Sequence, residues 1–412
     1  MINRREFLGQ AGTLAAASVV ASVPGKILAA APSDQINLGI IGPGSRGKQL
    51  MRTFLRVPGV RFAGICDVYE PRFAEAQEIT AEKTPTYKNY RQLIDAPGID
   101  AIVIATPLSF HAEQILAALK SGRHVYGEKD MAFTVEECNR TLEAVKNSGK
   151  HYQIGLQYHY APWFVEAVER IRAGKLGHIT QIYAYWHRNN DWRRPVPDPK
   201  DRNLERLINW RMYREFSGGL LAELGTHFID FANTVFGAAP ESVVGSGGID
   251  YWKDGREVPD NVQVVYRYPS GQTLMFSSIT TNRYEGSHIR VFGTTGTIDL
   301  NQTGGSYYYE PTTPHPAVGN ELIVQQGVVT APSFRSEMPY TGPGEDFPRR
   351  PDKEGNPDWI ACNSFIDCLR NNKRPIADEN VAWDAGVAVA LGNQAIDQGA
   401  RIRFAEHARR GA

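Results

Sequence analysis

The hexapeptide Gly42-Pro43-Gly44-Ser45-Arg46-Gly47 constrains this chain more than any other stretch. It follows the apolar run Ile36–Ile41, which predicts a buried parallel strand, and precedes residues 48–55, which predict a helix with one apolar side. Strand, glycine turn, helix is the setting in which G-x-G-x-x-G holds a dinucleotide. Gly42 permits the tight turn, Gly44 lets a pyrophosphate approach the backbone, and Gly47 lets the helix pack closely on the sheet. Ser45 and Arg46 stand where that helix opens, and free N–H groups with a partial positive charge suit phosphate there. Val60–Cys66 predicts a second strand, ending in Asp67, which lies 20 residues past Gly47. A carboxylate at that spacing accepts hydrogen bonds from ribose hydroxyls and repels a 2′-phosphate, so NAD is expected. Arg72 nearby leaves NADP open. The competing reading is a structural glycine turn followed by a solvated aspartate.

A length of 412 residues provides more than one domain's worth of chain and ample core. With 42% hydrophobic and 22% charged residues the composition is that of a globular protein. Zero net charge gives no general attraction to nucleic acid or to an anionic membrane. No repeat of fixed period is evident.

Residues 1–31 are set apart from the fold. Arg4 and Arg5 precede a mildly apolar, alanine-rich run at residues 11–23, too short and weak to span a bilayer comfortably. The segment resembles a twin-arginine export signal. Small residues at 29–31 suit cleavage, although Pro32 directly follows and leaves the cut site open. An unprocessed amphipathic tail is the alternative. Twin-arginine signals send folded proteins across the membrane, and nicotinamide cofactors are made in the cytoplasm. The expectation is therefore a protein that folds around its cofactor, leaves loaded through the twin-arginine machinery, holds the nucleotide tightly, and resides in the periplasm or is otherwise exported.

The cysteines, Cys66, Cys138, Cys362 and Cys368, form no C-x-x-C and no disulfide framework. Without an H-E-x-x-H or a Cys/His ligand cluster, no metal is implied.

From residue 36 to about 157 the pattern alternates strand and helix, which argues a doubly wound parallel sheet. Strands are predicted at 101–105, 124–127 and 152–156, and helices at 111–119 and 135–148. Thr106, Pro107, Glu128, Lys129 and Gln157 each fall just after a strand, where ligands of such sheets sit. The second half reads as α+β. A helix at 163–173 leads to a long strand, Ile179–His187, and another helix spans about 220–236. Mostly antiparallel strands follow at 242–245, 262–268, 273–279, 288–292 and 297–300. An open sheet of that kind needs cover, and self-association into a homo-oligomer is the expected means. Residues 311–358 predict a long loop or flap, and helices return at 359–370 and 381–398. The resulting division is a signal at 1–31, a Rossmann domain at 32–157, and an α+β substrate and oligomerisation domain at 158–412.

The chain resembles the glucose–fructose oxidoreductase / inositol dehydrogenase / rhizopine-catabolism (Gfo/Idh/MocA) family over nearly everything after residue 31. The resemblance is carried by the glycine turn at 42–47, Cys66-Asp67-Val68, Ala105-Thr106-Pro107 with His111, Glu128-Lys129, the stretch 218–230 and Gly293-Thr294-Thr295-Gly296. It implies a Rossmann domain followed by a sheet-rich substrate domain, NAD or NADP as cofactor, and a sugar or cyclitol as substrate. It also places His111 among the cofactor-binding residues.

Oxidising a secondary alcohol moves a hydride to a nicotinamide and a proton to a base. A base works best with a pKa near the operating pH, and histidine starts at about 6.5. Glu223 and His227 are four apart in a helical stretch and are expected to share one face. His227 is assigned as proton acceptor, with Glu223 orienting its ring; a helix pair satisfying backbone groups is the alternative. Lys129 is expected to stabilise the developing alkoxide with its ammonium, unless it forms only a surface salt bridge. The family pattern is Glu-Lys-Pro, whereas Asp130 follows Lys129 here. That carboxylate is expected to pair with Lys129 and hold it charged.

Substrate contacts are expected from Tyr160, Arg188, Trp192 and Arg211, since sugars take planar hydrogen-bonding groups and an aromatic face. Interface or packing roles remain open for each. The segment 187–194 is too short and too balanced by acid for a nucleic-acid patch. Three functions stay in view. The first is an exported NAD(P)-dependent oxidoreductase of a sugar or sugar derivative. The second is an NAD-dependent glycoside hydrolase working by transient oxidation and elimination. The third is a non-catalytic sugar-binding module, against which Lys129 and His227 argue.

Overall fold

Alternating apolar runs and amphipathic stretches fold into a parallel sheet in the first part of the chain. The structure, a computed structural model, describes residues 35–81, 83–302, 304–310, 323–325, 328–330, 345–346 and 355–407. The export-signal expectation at 1–31 lies outside the described residues, as does most of the loop expected at 311–358. Ile36–Ile41 (β1), Val60–Cys66 (β2), Thr86–Tyr87 (β3), Ala101–Ile104 (β4), His124–Glu128 (β5) and Tyr152–Gly155 (β6) lie in the order β3-β2-β1-β4-β5-β6. Every neighbouring pair is parallel. β4 and β6 are buried at every position, as a sheet covered on both faces requires. Strand order reverses at β1 and β4, and at such a switch point a crevice opens beyond the carboxyl ends of the strands.

Five helices connect these strands: Ser45–Phe54 (α1), Pro71–Thr80 (α2), Tyr90–Asp95 (α3), His111–Lys120 (α4) and Val135–Ser148 (α5). Local signals explain α5. The Thr134 hydroxyl accepts from Glu137 N at 3.2 Å while the Glu137 carboxylate accepts from Thr134 N at 3.1 Å, a reciprocal capping box. Gly149, at φ 65°, ends the helix. By contrast α1 begins at Gly44 with no side-chain cap and no acidic residue in its first turn.

Pro162–Arg172 (α6) leads into Ile179–His187 (β7). Arg202–Ile208 (α7) and a π-turn at Leu221–Gly225 precede Thr226–Phe236 (α8). There follow Ser242–Gly248 (β8), Asn261–Arg267 (β9), Thr273–Ile279 (β10), Ser287–Gly293 (β11), Gly296–Asn301 (β12) and Gly304–Tyr309 (β13). Ile323–Gln325 (β14) and Val328–Thr330 (β15) pair with each other, while Glu345–Asp346 (β16) and Ile402–Arg403 (β17) form the edges of the second sheet. Its nine strands run β16-β13-β12-β11-β7-β10-β9-β8-β17. β7 and β10 pair in parallel and the other neighbours antiparallel. Buried and exposed residues alternate along β9, so one face rests on the core and the other carries exposed side chains such as Tyr183 and Met275.

The chain then returns to the first sheet. Pro357–Asn371 (α9) is capped by Asn356, whose side chain accepts from Asp358 N at 2.9 Å. Phe365 of α9 packs edge-on against Phe54 of α1 and Tyr126 of β5, with ring centroids 6.3 and 5.6 Å away. All three rings are buried, and each such burial stabilises by about 1.5–3 kcal/mol. This docking sets Asp358 at the crevice. Glu379–Gln398 (α10) packs on α5 and β8 and so ties the two sheets together; Phe404–His407 (α11) closes the described chain. Among the described residues no helix is long and apolar enough to cross a membrane.

Several local features differ from the sequence reading: α2, α3, α7 and β3 were not expected. The helix expected from 220 begins instead with the π-turn, in which hydrogen bonds span five residues, so a side chain at i+4 no longer stands over that at i. Strand β13 was not expected, because its glycines and tyrosines carry no alternation.

Candidate active site

The glycine turn is fixed by contact. A Cβ on Gly42, at φ +84°, would lie 2.8 Å from Ala105 O, and one on Gly47 would lie 2.2 Å from Gly42 O. Only glycine fits at either place. A Cβ on Gly44 would meet nothing nearer than the Arg72 guanidinium at 3.8 Å. The backbone at Gly44 therefore faces open space beside the uncapped start of α1, a cradle that fits a pyrophosphate.

Two cavities, of about 670 and 420 Å3, occupy the crevice. The larger is lined by Gly42, Gly44, Ser45, Asp67 and Pro107. Lys129, Asp130, Gln157, Tyr158, Glu223 and His227 line the smaller. Arg46, Ala105, Thr106, Trp210 and Arg211 belong to both walls, so the two cavities adjoin. The larger lies along the glycine turn, and the smaller beyond the ends of β5 and β6.

Asp67 is buried at the end of β2; its Oδ1 accepts from Tyr69 N at 2.8 Å and its Oδ2 lies 3.1 Å from an Arg72 nitrogen. Thr106 Oγ1 donates to Gln114 Oε1 at 2.8 Å. Arg46 Nε donates to Glu128 Oε1 at 2.7 Å, and a second guanidinium nitrogen lies 2.8 Å from Asp358 Oδ1. Burial opposes that charge, but Glu128 and Asp358 more than offset it and hold the Arg46 proton tightly. Arg194, from the segment before α7, donates to Ser45 Oγ at 2.7 Å and joins the second part of the chain to the glycine turn.

Lys129 Nζ donates to Ala222 O at 2.6 Å. Two of its three protons remain for other acceptors. His227 is buried, its ring centroid lies 4.5 Å from that of Tyr158, and its Nδ1 has no hydrogen-bond partner. Burial, with Lys129 and Arg46 nearby, pushes its pKa well below the usual histidine value. The ring is neutral and able to accept a proton. Geometry thus brings an ammonium and a neutral imidazole to the end of the nucleotide groove, with the Tyr158 ring as an aromatic wall.

Several expectations need correction. Glu223 does not orient His227: its Oε2 accepts from Arg211 Nε at 2.8 Å, and the π-turn takes it off the His227 face. Although burial opposes it, Arg211 and Lys129 hold the Glu223 pKa below the usual carboxylate range. Asp130 does not take Lys129 as a hydrogen-bond partner; both its carboxyl oxygens are buried and unpartnered. The peptide between Lys129 and Asp130 is cis, although no proline stands there. Tyr160 is a core residue 5% exposed, and its hydroxyl accepts from Ala377 N, so it does not reach the crevice. Arg188 and Trp192 lie outside both cavity walls; the Arg188 guanidinium sits 4.9 Å from the Trp186 ring centroid and 5.7 Å from that of Trp192. His111 lines the smaller cavity, but both ring nitrogens are engaged, Nδ1 2.6 Å from Asp130 O and Nε2 3.0 Å from Thr106 O, so it braces two strand ends rather than facing a ligand. Arg211 does line the crevice. Tyr158, Trp210 and Arg194 lie in stretches that the sequence offers for sugar contacts, at 157–160, 209–211 and 187–194, but were not assigned there individually, and Asp358 was missed; the helix-start signal at Asn356-Pro357 was present in the sequence, but nothing there tells where α9 docks.

Strand order, glycine cradle and adjoining cavities define a two-domain, NAD-dependent oxidoreductase. The chain belongs to the GFO/IDH/MocA family: residues 36–156 match its oxidoreductase domain with NAD-binding Rossmann fold, and residues 164–299 match the GFO/IDH/MocA C-terminal domain. Scyllo-inositol 2-dehydrogenase (NAD(+)) of Bacillus subtilis is 25% identical over 364 residues, 86% of this chain and 93% of that protein. The uncharacterized oxidoreductase YrbE of the same organism is 28% identical over 218 residues, which spans 52% of this chain and 57% of YrbE. A glycosyl hydrolase family 109 protein of Shewanella pealeana is 27% identical over 237 residues, 52% of this chain and 50% of that protein. Levoglucosan dehydrogenase, in complex with NADH, shares the fold with a TM-score of 0.71 at 20% identity, covering 90% of this chain and 99% of that one.

Proposed function

We propose that this protein oxidises a secondary alcohol of a sugar or sugar derivative. The observation that carries this reading is the shared wall of the two cavities, which sets Lys129 and His227 at the end of the nucleotide groove. A nicotinamide bound there supplies the hydride acceptor. Gly42, Gly44, Ser45 and Gly47 hold the pyrophosphate and Asp67 the ribose, while Thr106 and Pro107 shape the floor and Gln157 the far end. Lys129 donates a hydrogen bond to the substrate hydroxyl and stabilises negative charge developing on its oxygen. His227, neutral at rest, receives the hydroxyl proton. Arg211 and Tyr158 supply the planar polar group and the aromatic face that a sugar ring needs. The cyclitol and anhydrosugar dehydrogenases among the similar proteins support this substrate class.

A second reading rests on the similarity to the glycosyl hydrolase family 109 protein. In it the transient ketone acidifies the neighbouring C–H, elimination expels the glycosidic group, water adds, and the hydride returns. One experiment separates the two. The NAD-loaded protein is offered inositols, anhydrosugars and aryl glycosides while nucleotide absorbance and phenol release are followed. NADH formation with a free polyol supports the dehydrogenase; phenol release without net NADH supports the hydrolase. Silence toward all of them sinks both and leaves a binding module.

Export by the twin-arginine route with nucleotide already bound is part of the proposal, supported by Arg4 and Arg5. Cell fractionation that finds the protein only in the cytoplasm removes it. The exposed Tyr183 and Met275 on the outer face of the second sheet support a homo-oligomer, which sedimentation tests.

A further inference from the structure

Arg46, Arg72, Arg206 and Arg211 line the crevice, and each lies against a carboxylate. Arg188, close behind them, meets no carboxylate among the described residues. Its Nε is buried without a hydrogen-bond partner, and its two terminal nitrogens have no acceptor among those residues either. The side chain is half-buried. A guanidinium in that position has given up part of its hydration, and a charge left unanswered there is costly.

The strand brings this charge beside the proposed reaction centre. Ile182 and Ala184 are buried on the inner face of β7, and with a period of two Trp186 and Arg188 follow them on that face. Arg188 N donates to Ile279 O at 2.8 Å, which carries the contact with β10 past the end of β7. The Trp186 ring centroid lies 6.3 Å from those of His227 and Tyr158, and 4.9 Å from the Arg188 guanidinium. Arg188 thus stands one indole beyond the smaller cavity, whose wall carries Tyr158 and His227.

A second indole comes from a costly turn. Trp192 has φ 62°, in the left-handed region that a bulky side chain seldom adopts. The turn is pinned on both sides. Arg193 N donates to Asp191 Oδ1 at 3.1 Å, Glu205 and Asp254 hold the Arg193 guanidinium, and an Arg256 nitrogen donates to Asp191 O at 2.8 Å. The Trp192 ring centroid is thereby set 5.7 Å from Arg188. Backbone strain held in this way clusters at ligand sites. A guanidinium resting against indole faces keeps its terminal N–H donors for a ligand, and a carboxylate or a phosphate takes two of them in parallel.

We propose that Arg188 binds an anionic group of the substrate, so that the sugar oxidised between Lys129 and His227 is a sugar acid or a sugar phosphate. This rests on the reading of Lys129 and His227 given above and adds the charge that the reading leaves open. Lys129 answers the charge that develops on the reacting oxygen. Arg211 is committed to Glu223. Arg188 is left for a permanent charge elsewhere on the sugar. It touches no reacting atom, so it sets KM and the choice among substrates rather than kcat.

Isothermal titration of the NADH-loaded protein with matched sugars tests this. The sets are glucose, glucuronate and glucose 6-phosphate, with the corresponding galactose and mannose compounds beside them. In at least one set the acid or the phosphate should bind about tenfold or more tighter than the neutral parent, and the tighter of the two names the source of the charge. Added salt should weaken that anion more than its parent. Arg188→Met should abolish the preference and Arg188→Lys restore part of it, with affinity for the neutral sugar held in both. In turnover, Arg188→Met should raise KM for the preferred anion about tenfold while kcat is kept. If Arg188→Met fails to fold, Arg188→Gln, polar and of similar reach, takes its place. No gain from the charge in any set overturns the proposal. So does a preference that loss of the guanidinium leaves intact, in which case Arg188 only packs between two indoles. If no sugar is oxidised, the substrate reading falls, and the titration still decides whether Arg188 holds an anion.

Discussion

Arg211 Nε donates to Glu223 Oε2 across 2.8 Å, and this pair stands between the nucleotide groove and the smaller cavity. Glu223 thereby fixes Arg211 rather than His227. Removing one partner of this half-buried pair leaves the other charge without an answer, at about 1–3 kcal/mol. Glu223→Ala should lower stability by an amount of that order. In Glu223→Gln, which retains a hydrogen bond to Arg211, KM for the sugar should rise while the pH dependence owed to His227 is unmoved. A shifted His227 titration in Glu223→Gln, read by NMR, would restore the pairing that the π-turn removes.

Lys129 and His227 act on the same oxygen in the proposed reaction, one by charge and one by taking its proton. Lys129→Met and His227→Asn should each lower kcat by roughly a hundredfold or more. Nucleotide binding should survive in both, since the glycine cradle lies in the other cavity. Fluorescence titration with NADH beside steady-state rates checks the two statements together. A wild-type rate in either variant removes that residue from the mechanism.

Local chemistry explains which parts of this site were legible. Gly42, Gly44 and Gly47 announce a tight turn because each has a steric reason to lack a side chain or expose its backbone, and that reason is written within six residues. The strand ends at Thr106, Glu128 and Gln157 follow from alternation alone. Tyr160 and Glu223 failed for a shared cause: the periods assumed there were not those adopted. A 3-10 turn at Gln157–Tyr160 presents Tyr158 to the cavity and buries Tyr160, while the π-turn rotates Glu223 onto Arg211. Arg194 and Asp358 reach the site from elements over a hundred residues away from the groups they touch, and such docking leaves no local trace in sequence.

Arg194 bridges the two parts of the chain over the mouth of the nucleotide groove through Ser45 Oγ. That clasp is expected to open before a bound nucleotide leaves. A charge-assisted hydrogen bond of this exposed kind contributes about 1 kcal/mol. Arg194→Ala should therefore release NADH about fivefold faster in stopped flow, with the bimolecular on-rate nearly constant. Ser45→Ala should do the same, and the double variant should add little to either single one. Additive effects would mean that each residue holds the nucleotide independently.

Asp67 is expected to set the preference between NAD and NADP because its buried carboxylate meets the ribose end of the groove. Arg72 is at present turned onto it, 3.1 Å away. Asp67→Ser removes the repulsion toward a 2′-phosphate and frees Arg72 to meet one. NADP affinity should rise about tenfold or more while NAD affinity falls about tenfold, the loss of one or two hydrogen bonds. Isothermal titration with both nucleotides reads the ratio directly. An unchanged ratio would place the ribose elsewhere.

His159 and Asp230 form a pair beneath the site, with His159 Nδ1 3.1 Å from Asp230 Oδ2. Burial lowers the His159 pKa, but Asp230 more than reverses this, and the net result is above the usual value. The folded protein therefore binds this proton more tightly than the unfolded chain, and protons favour folding here. That stabilisation is whole below the unfolded value of about 6.5 and is lost as pH rises through the higher folded one. Asp230→Asn should cost about 2–4 kcal/mol at pH 5.5, where the ring is charged and left unpaired. Above the raised folded value the ring is neutral, either residue serves it as a hydrogen-bond acceptor, and the cost should shrink to roughly 1 kcal/mol. Urea unfolding of both proteins across that range gives the difference at each pH. A constant difference would mean that the pair is held by hydrogen bonding alone and that His159 stays neutral in the fold.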